Sequence, residues 1–142
     1  MDSVEELYQE LILDHYQHPR SRGALEAADC NERVFNPLCG DEVEIMVKFE
    51  GDKLSNITFL GAGCSISQAS ASMLSEICKG KTITEITKLY EEVNSLIKDG
   101  AKEQNEETLG DMMALSGVCK FPARQRCALI AWEALMRCLK NK

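Results

Sequence analysis

Seven cysteines in 142 residues are the feature of this chain best able to do chemistry. The number is odd, and a reducing compartment disfavours disulfides, so some of these thiols are expected to be metal ligands or reactive groups. Cys39 lies in Asn36-Pro37-Leu38-Cys39-Gly40-Asp41, among turn residues just before a strand. Gly40 lets the backbone fold so that the Cys39 sulfur and the Asp41 carboxylate face one point. Thiolate and carboxylate are both competent zinc ligands. Cys64 follows Gly61-Ala62-Gly63, where a strand gives way to a helix. Free N–H groups and the positive end of the helix dipole favour a thiolate there. The same glycine turn lacks the Lys of a P-loop and the spacing of a dinucleotide loop. Cys127 falls in the first turns of the last helix. Cys78 and Cys138 near helix ends, and Cys30 and Cys119 in loops, read as structural thiols. No Cys-x-x-Cys knuckle occurs. Spacing alone is therefore compatible with a metal site assembled by the fold and equally with ordinary cysteines.

The elements that must position these groups follow from periodicity. Residues 3–17 form an amphipathic helix through Val4, Leu7, Leu11, Ile12 and Leu13, with a capping box of Ser3 and Glu6 and a stop at Pro19 and Gly23. Val43, Ile45, Val47 and Phe49 alternate with Glu42, Glu44 and Lys48, which predicts a half-buried strand over 42–49. Gly51-Asp52 turns the chain into a second strand over 54–60, and Arg33-Val34-Phe35 supplies an edge strand limited by Pro37. The period then changes. Helices are predicted over 65–79, from the Thr82–Glu85 capping box to Ile97, over 107–115 with a break at Gly117, and over 123–139 behind Pro122. Strands first and helices later predict one α+β domain over 1–142. It holds a small three-stranded antiparallel sheet with about five helices packed mainly on one face. Trp132 reads as core, and His15 and His18, at a helix end near Pro19, as surface or capping groups.

Composition narrows the partners. With 23 acidic and 16 basic residues the net charge is -7, and no basic stripe appears, so nucleic acid is not an expected ligand. The acidic cluster from Glu103 to Glu107 reads as a solvated segment. No apolar run approaches the ~20 residues of a membrane span. The first residues lack the basic start and apolar core of a signal peptide, so a cytoplasmic address is expected.

Three separated motifs add a resemblance that covers nearly the whole chain. Asn36-Pro37-Leu38-Cys39-Gly40-Asp41, then Gly61-Ala62-Gly63-Cys64-Ser65-Ile66-Ser67 with Ala69-Ser70-Ala71-Ser72-Met73, resemble the IscU and NifU N-terminal family of iron–sulfur cluster assembly proteins. Ser116-Gly117-Val118, Phe121-Pro122-Ala123-Arg124 and Cys127-Ala128 are similar to its SufU branch, and Asp14-His15-Tyr16-Gln17-His18-Pro19-Arg20 also fits. The resemblance implies an IscU/SufE-like fold and a metal site of Cys39, Asp41, Cys64 and Cys127. Its implied occupant is zinc, with iron or a 2Fe–2S cluster as the alternative. It further implies sulfur transfer: the protein accepts persulfide sulfur from a pyridoxal-phosphate cysteine desulfurase of the SufS type and passes it to a scaffold complex of the SufBCD type, and Cys39, on a loop that can swing out, is the expected acceptor. The alternative function is a scaffold on which a 2Fe–2S cluster is built and transferred. Arg126 stands where the scaffold branch has His, which leaves Asp41 as the fourth ligand. Lys120-Phe121-Pro122-Ala123-Arg124 replaces the Leu-Pro-Pro-Val-Lys chaperone motif, so no dedicated chaperone is expected. Arg124 and Arg126 are candidates for offsetting the site's negative charge.

Overall fold

Branched side chains at alternate positions form the centre of the sheet. In the computed structural model, which describes residues 3–102 and 105–142, the order is α1 (Ser3–Gln17), β1 (Cys30–Asn36), β2 (Asp41–Glu50), β3 (Lys53–Ala62), α2 (Ser65–Cys78), α3 (Ile83–Asp99), α4 (Asn105–Leu109), a 3-10 helix (Gly110–Lys120) and α5 (Pro122–Lys140). The side chains of Ser3, Val4 and residues 103–106 lie outside the described residues, and with them the expected Ser3 cap and most of the acidic cluster. β2 is the middle strand, antiparallel to both neighbours. Val43, Ile45 and Val47 are fully buried, each contributing about 1.5–3 kcal/mol by leaving water. The register shifts at Lys48 and Phe49, a bulge that leaves Phe49 only half-buried.

The outer edge of β3 is covered by chain rather than left open. Gly23 N–H donates to Phe59 O at 2.9 Å, Phe59 N–H to Ser21 O at 3.1 Å, and Leu54 N–H to Lys81 O at 2.8 Å. Covering backbone groups in this way removes a template for aggregation. The helices complete the core. α5 is the central one, packed on β1, β2, α2 and α3, and its Ala128, Ile130, Ala131, Trp132, Ala134 and Leu135 are all fully buried. Trp132 is core, as expected. The capping box of α3 is present, with both Thr82 and Glu85 bonds made, and Pro122 occupies the first turn of α5. Among the described residues no helix is long and apolar enough to cross a membrane.

Four expectations are corrected. The edge strand is longer than Arg33–Phe35, and Cys30 opens it instead of lying in a loop. Gly117 does not break the helical stretch before α5. The chain continues as a 3-10 helix, which also contains Cys119. Burial of Met112, Met113, Leu115 and Val118 outweighs the ~1 kcal/mol helical cost of a glycine. In α1, Leu7 and Leu13 point outward, at 52% and 49% exposure, while Leu11 and Ile12 pack against the core.

The fourth correction is His15. It is fully buried, not a surface group. Its Nε2–H donates to Asp111 Oδ2 at 2.9 Å, and its Nδ1 accepts from the Ser72 hydroxyl at 2.8 Å. The Ser72 oxygen in turn accepts the Arg20 backbone N–H at 2.8 Å. Nε2 is assigned the proton because a carboxylate only accepts. One imidazole thus ties α1 to α2 and to the start of the 3-10 helix. His15→Ala should cost about 2–4 kcal/mol, from the cavity and two lost hydrogen bonds. Urea unfolding should show the midpoint falling with its slope unchanged. A loss below ~0.5 kcal/mol, the range of ordinary surface substitutions, would mean that the tie carries no stability.

Candidate metal centre

The four expected donors, Cys39, Asp41, Cys64 and Cys127, sit on three different pieces of backbone. β1 ends at Asn36 and β2 begins at Asp41, and these two residues pair across the ladder, so Pro37–Gly40 is the tip of a hairpin. Cys39 is on that tip and is exposed. Gly40 has φ +68°, a left-handed conformation that favours glycine and sends the chain back into β2. Asp41, the first residue of β2, is fully buried. Cys64 is the N-cap of α2 and half-buried. Cys127, near the start of α5, is fully buried. α2 and α5 come close because α2 presents small residues. Buried Ser70 donates to the Ala128 carbonyl at 2.7 Å, one residue past Cys127.

Asp41 organises the group. Its Oδ1 accepts the Cys64 backbone N–H at 2.7 Å, and its Oδ2 is 3.7 Å from the Cys64 sulfur. The carboxylate fits only because residue 63 is glycine. A Cβ on Gly63 would lie 2.3 Å from Asp41 Oδ1, and its φ of +141° is strained for any other residue. Cys127 Sγ lies 3.2 Å from Cys39 Sγ, and donor atoms of Cys39, Asp41 and Cys127 are all within 4.8 Å of one another. Burial, then hydrogen bonding to Asp41 and Cys39, pushes the Cys127 thiol up. Packed anionic donors hold protons until a cation replaces them.

Three sulfurs and one oxygen suit a small tetrahedral cation. With metal–sulfur bonds of about 2.3 Å, the sulfurs of such a site stand about 3.8 Å apart and sulfur to oxygen about 3.6 Å. The Asp41–Cys64 separation already matches, the Cys39 and Cys127 sulfurs stand about half an ångström closer than this, and the Cys64 sulfur lies outside the compact group of Cys39, Asp41 and Cys127, joined to it through Asp41. The donor types therefore suit such an ion. Arg124 also faces these donors. The negative charge of Cys64 first, then of Cys127 and Cys39, raises its guanidinium pKa above the usual value. Arg126, the other arginine expected to balance charge, does not face the thiols. Its guanidinium is paired with Glu133 at 2.8 and 3.3 Å along the outer side of α5.

A family model described as the NifU-like N-terminal domain matches residues 7–128, from α1 to just past Cys127. The chain belongs to this family. Similar members of the NifU-like N-terminal domain family carry informative names. The chain is 41% identical over 136 residues to the zinc-dependent sulfurtransferase SufU of Bacillus subtilis, covering 94% of this chain and 89% of the relative. It is 34% identical to the iron–sulfur cluster assembly scaffold protein IscU of Streptococcus pyogenes, covering 99% and 87%. Among solved structures it superposes on an iron–sulfur cluster assembly scaffold protein for the SUF system from Fervidobacterium islandicum. The TM-score is 0.85 at 32% identity, over 95% of this chain and 98% of the other.

Within this family member one residue of the site escaped the reading of the sequence. Asn36 is buried, and its Nδ2 points at Cys127 Sγ from 3.7 Å. Its Oδ1 is buried without a hydrogen-bond partner. A buried amide with an orphaned oxygen costs stability. The signal was present as a polar residue one step before Pro37, read in the sequence as part of a motif but with no role of its own.

Proposed function

We propose that this protein is a zinc-dependent sulfurtransferase for iron–sulfur cluster assembly, with zinc held by Cys39, Asp41, Cys64 and Cys127. The reading is carried by one observation: an exposed thiol on a hairpin tip lies 3.2 Å from a buried thiol in a compact group with the Asp41 carboxylate, which itself stands 3.7 Å from the Cys64 sulfur. The 41% identity to a relative named as a zinc-dependent sulfurtransferase supports it. Bound zinc would supply the charge that keeps the four donors deprotonated and shielded from oxidation.

The chain's own residues divide the remaining work. Cys64 and Cys127 are anchored on helices, whereas Cys39 can swing on its turn without unwinding any element. Its released thiolate attacks the outer sulfur of a persulfide on a cysteine desulfurase. A new S–S bond forms on Cys39 as the desulfurase's own S–S bond breaks and its cysteine leaves as thiolate, with no net oxidation. Asn36 donates toward Cys127 and steadies its charge. Four anionic donors around a divalent ion leave about two negative charges. Arg124 opposes that charge and attracts the incoming persulfide anion. The same proposal includes a pyridoxal-phosphate desulfurase of the SufS type as donor, a SufBCD-type scaffold complex as acceptor, and action in the cytoplasm.

Metal analysis of protein purified without added metal, combined with alanine release by the cognate desulfurase, tests this. About one zinc per chain and faster alanine release are expected. Stoichiometric iron with acid-labile sulfide would instead favour the scaffold function named for the Streptococcus pyogenes relative. Tightly bound zinc without stimulation would leave a closed, structural zinc site.

A further inference from the structure

β1 and α5 are in contact along their length, and cysteines mark both ends of that contact. At one end Asn36 meets Cys127 in the metal centre. Cys30 to Asn36 spans roughly 20 Å of strand, and Cys127 to Cys138 roughly 16 Å of helix. The two elements meet again at the far end, where Asn141, just past α5, donates to Glu32 of β1 at 3.2 Å. Cys30 and Cys138 both line an open cavity of about 530 Å³, together with Phe49, Asn141 and Lys142. The Lys142 ammonium sits 5.2 Å from the centre of the Phe49 ring. Cys138 is fully buried and Cys30 only half-buried, so a small molecule entering the cavity meets Cys30 first. The metal centre uses neither thiol.

We propose that Cys30 and Cys138 form a redox-active dithiol outside the metal centre, oxidised to an intramolecular disulfide by low-molecular-weight disulfides. In the first step the Cys30 thiolate attacks one sulfur of the reagent. A mixed disulfide forms on Cys30, and the reagent's S–S bond breaks to release one thiolate. In the second step Cys138 gives up its proton and attacks the Cys30 sulfur, releasing the second thiolate. Two cysteine thiols are oxidised, one small disulfide is reduced to two thiols, and the two cysteine protons end on those thiols. Burial pushes the Cys138 thiol up, which fixes the order: Cys30 reacts first, and Cys138 resolves. The adduct on Cys30 shares its cavity with Cys138, which favours closure over accumulation. A bond between residues so distant in sequence constrains the unfolded chain strongly. It also staples the two elements that carry Asn36 and Cys127, and both cysteines stand clear of the sulfur-transfer chemistry.

The test uses the full zinc-loaded chain, equilibrated with oxidised and reduced glutathione at a series of ratios, acid-quenched, alkylated and peptide-mapped. The expected product is a linked Cys30–Cys138 peptide, with zinc content unchanged and the melting temperature raised by roughly 5–15 °C. Cys30→Ser should abolish both the link and the shift. Cys138→Ala should leave glutathione on Cys30 as an unresolved adduct. If that buried substitution prevents folding, the half-buried Cys30→Ser still decides. Recovery of Cys30 and Cys138 as free thiols at the most oxidising ratio overturns the proposal. So does a disulfide joining Cys39 to Cys127 in its place, or a melting shift that persists in Cys30→Ser. Zinc content and desulfurase stimulation are read separately, so the sulfurtransferase reading stands or falls on its own results.

Discussion

Cys39→Ala is expected to leave the desulfurase unstimulated and to leave the protein without a persulfide. The reason is positional. Of the three clustered thiols, only Cys39 is exposed and only Cys39 is on a turn. Cys127 is fully buried on α5, and Cys64 caps α2 with its N–H held by Asp41. Cys39→Ala removes the one thiol of these three that is not tied to a helix, and loss of a nucleophile costs ~10³-fold or more. The variant should still retain some zinc, since Asp41, Cys64 and Cys127 remain and water can fill a fourth position. Asp41→Ala should behave differently: it weakens the site and changes the rate but keeps the acceptor. Mass spectrometry after brief reaction with the desulfurase separates these outcomes. A sulfur adduct confined to Cys127 in the unmodified protein would move the acceptor role to α5. Unchanged stimulation by Cys39→Ala would remove Cys39 from the mechanism.

Cys127→Ala and Cys64→Ala should release the metal and loosen the fold. A ligand that binds only the folded state at 1,000 times its dissociation constant stabilises it by about 4 kcal/mol. For a domain of this size that amounts to roughly 10 °C in melting temperature. Both variants should therefore melt lower than the zinc-loaded protein and should no longer respond to zinc or to a chelator. The core itself should survive, because it is anchored on Ile45, Phe59, Trp132 and Leu135, none of which is a donor. If either variant binds zinc as tightly as the parent, that cysteine is not a ligand. Serine at Cys78 and Cys119 is the matched control, expected to lower stability at buried Cys78 while leaving zinc and sulfur acceptance intact.

Much of the scaffold was legible because local patterns carry it. The period-2 run in β2 and the Thr82–Glu85 box each act within a few residues. The glycine turn that sets Cys64 at a helix start, with its close approach to Asp41, is a strand-to-helix signal of the same kind. Gly117 misled because its helical penalty is local, whereas the burial of Met112, Leu115 and Val118 that overrides it is not. His15 misled for the same reason. Its surroundings near Pro19 look like a helix end, but its partners Ser72 and Asp111 come from other elements.

The chain by itself determined which residues could serve as donors, which elements carry them and, through three ordered motifs, which family they resemble. Only the tertiary structure decided which groups meet. Asn36 reaches Cys127 across 91 residues, and Cys127 reaches Cys39 across 88. Arg124 faces the thiols while Arg126, two residues on, turns to Glu133. Cys30 and Cys138, expected to be unrelated structural thiols, share a cavity. Helical and strand periodicity place a side chain on a face of its own element. What lies opposite that face depends on how α2, α5 and the sheet pack, and that packing is set by burial summed over the whole core.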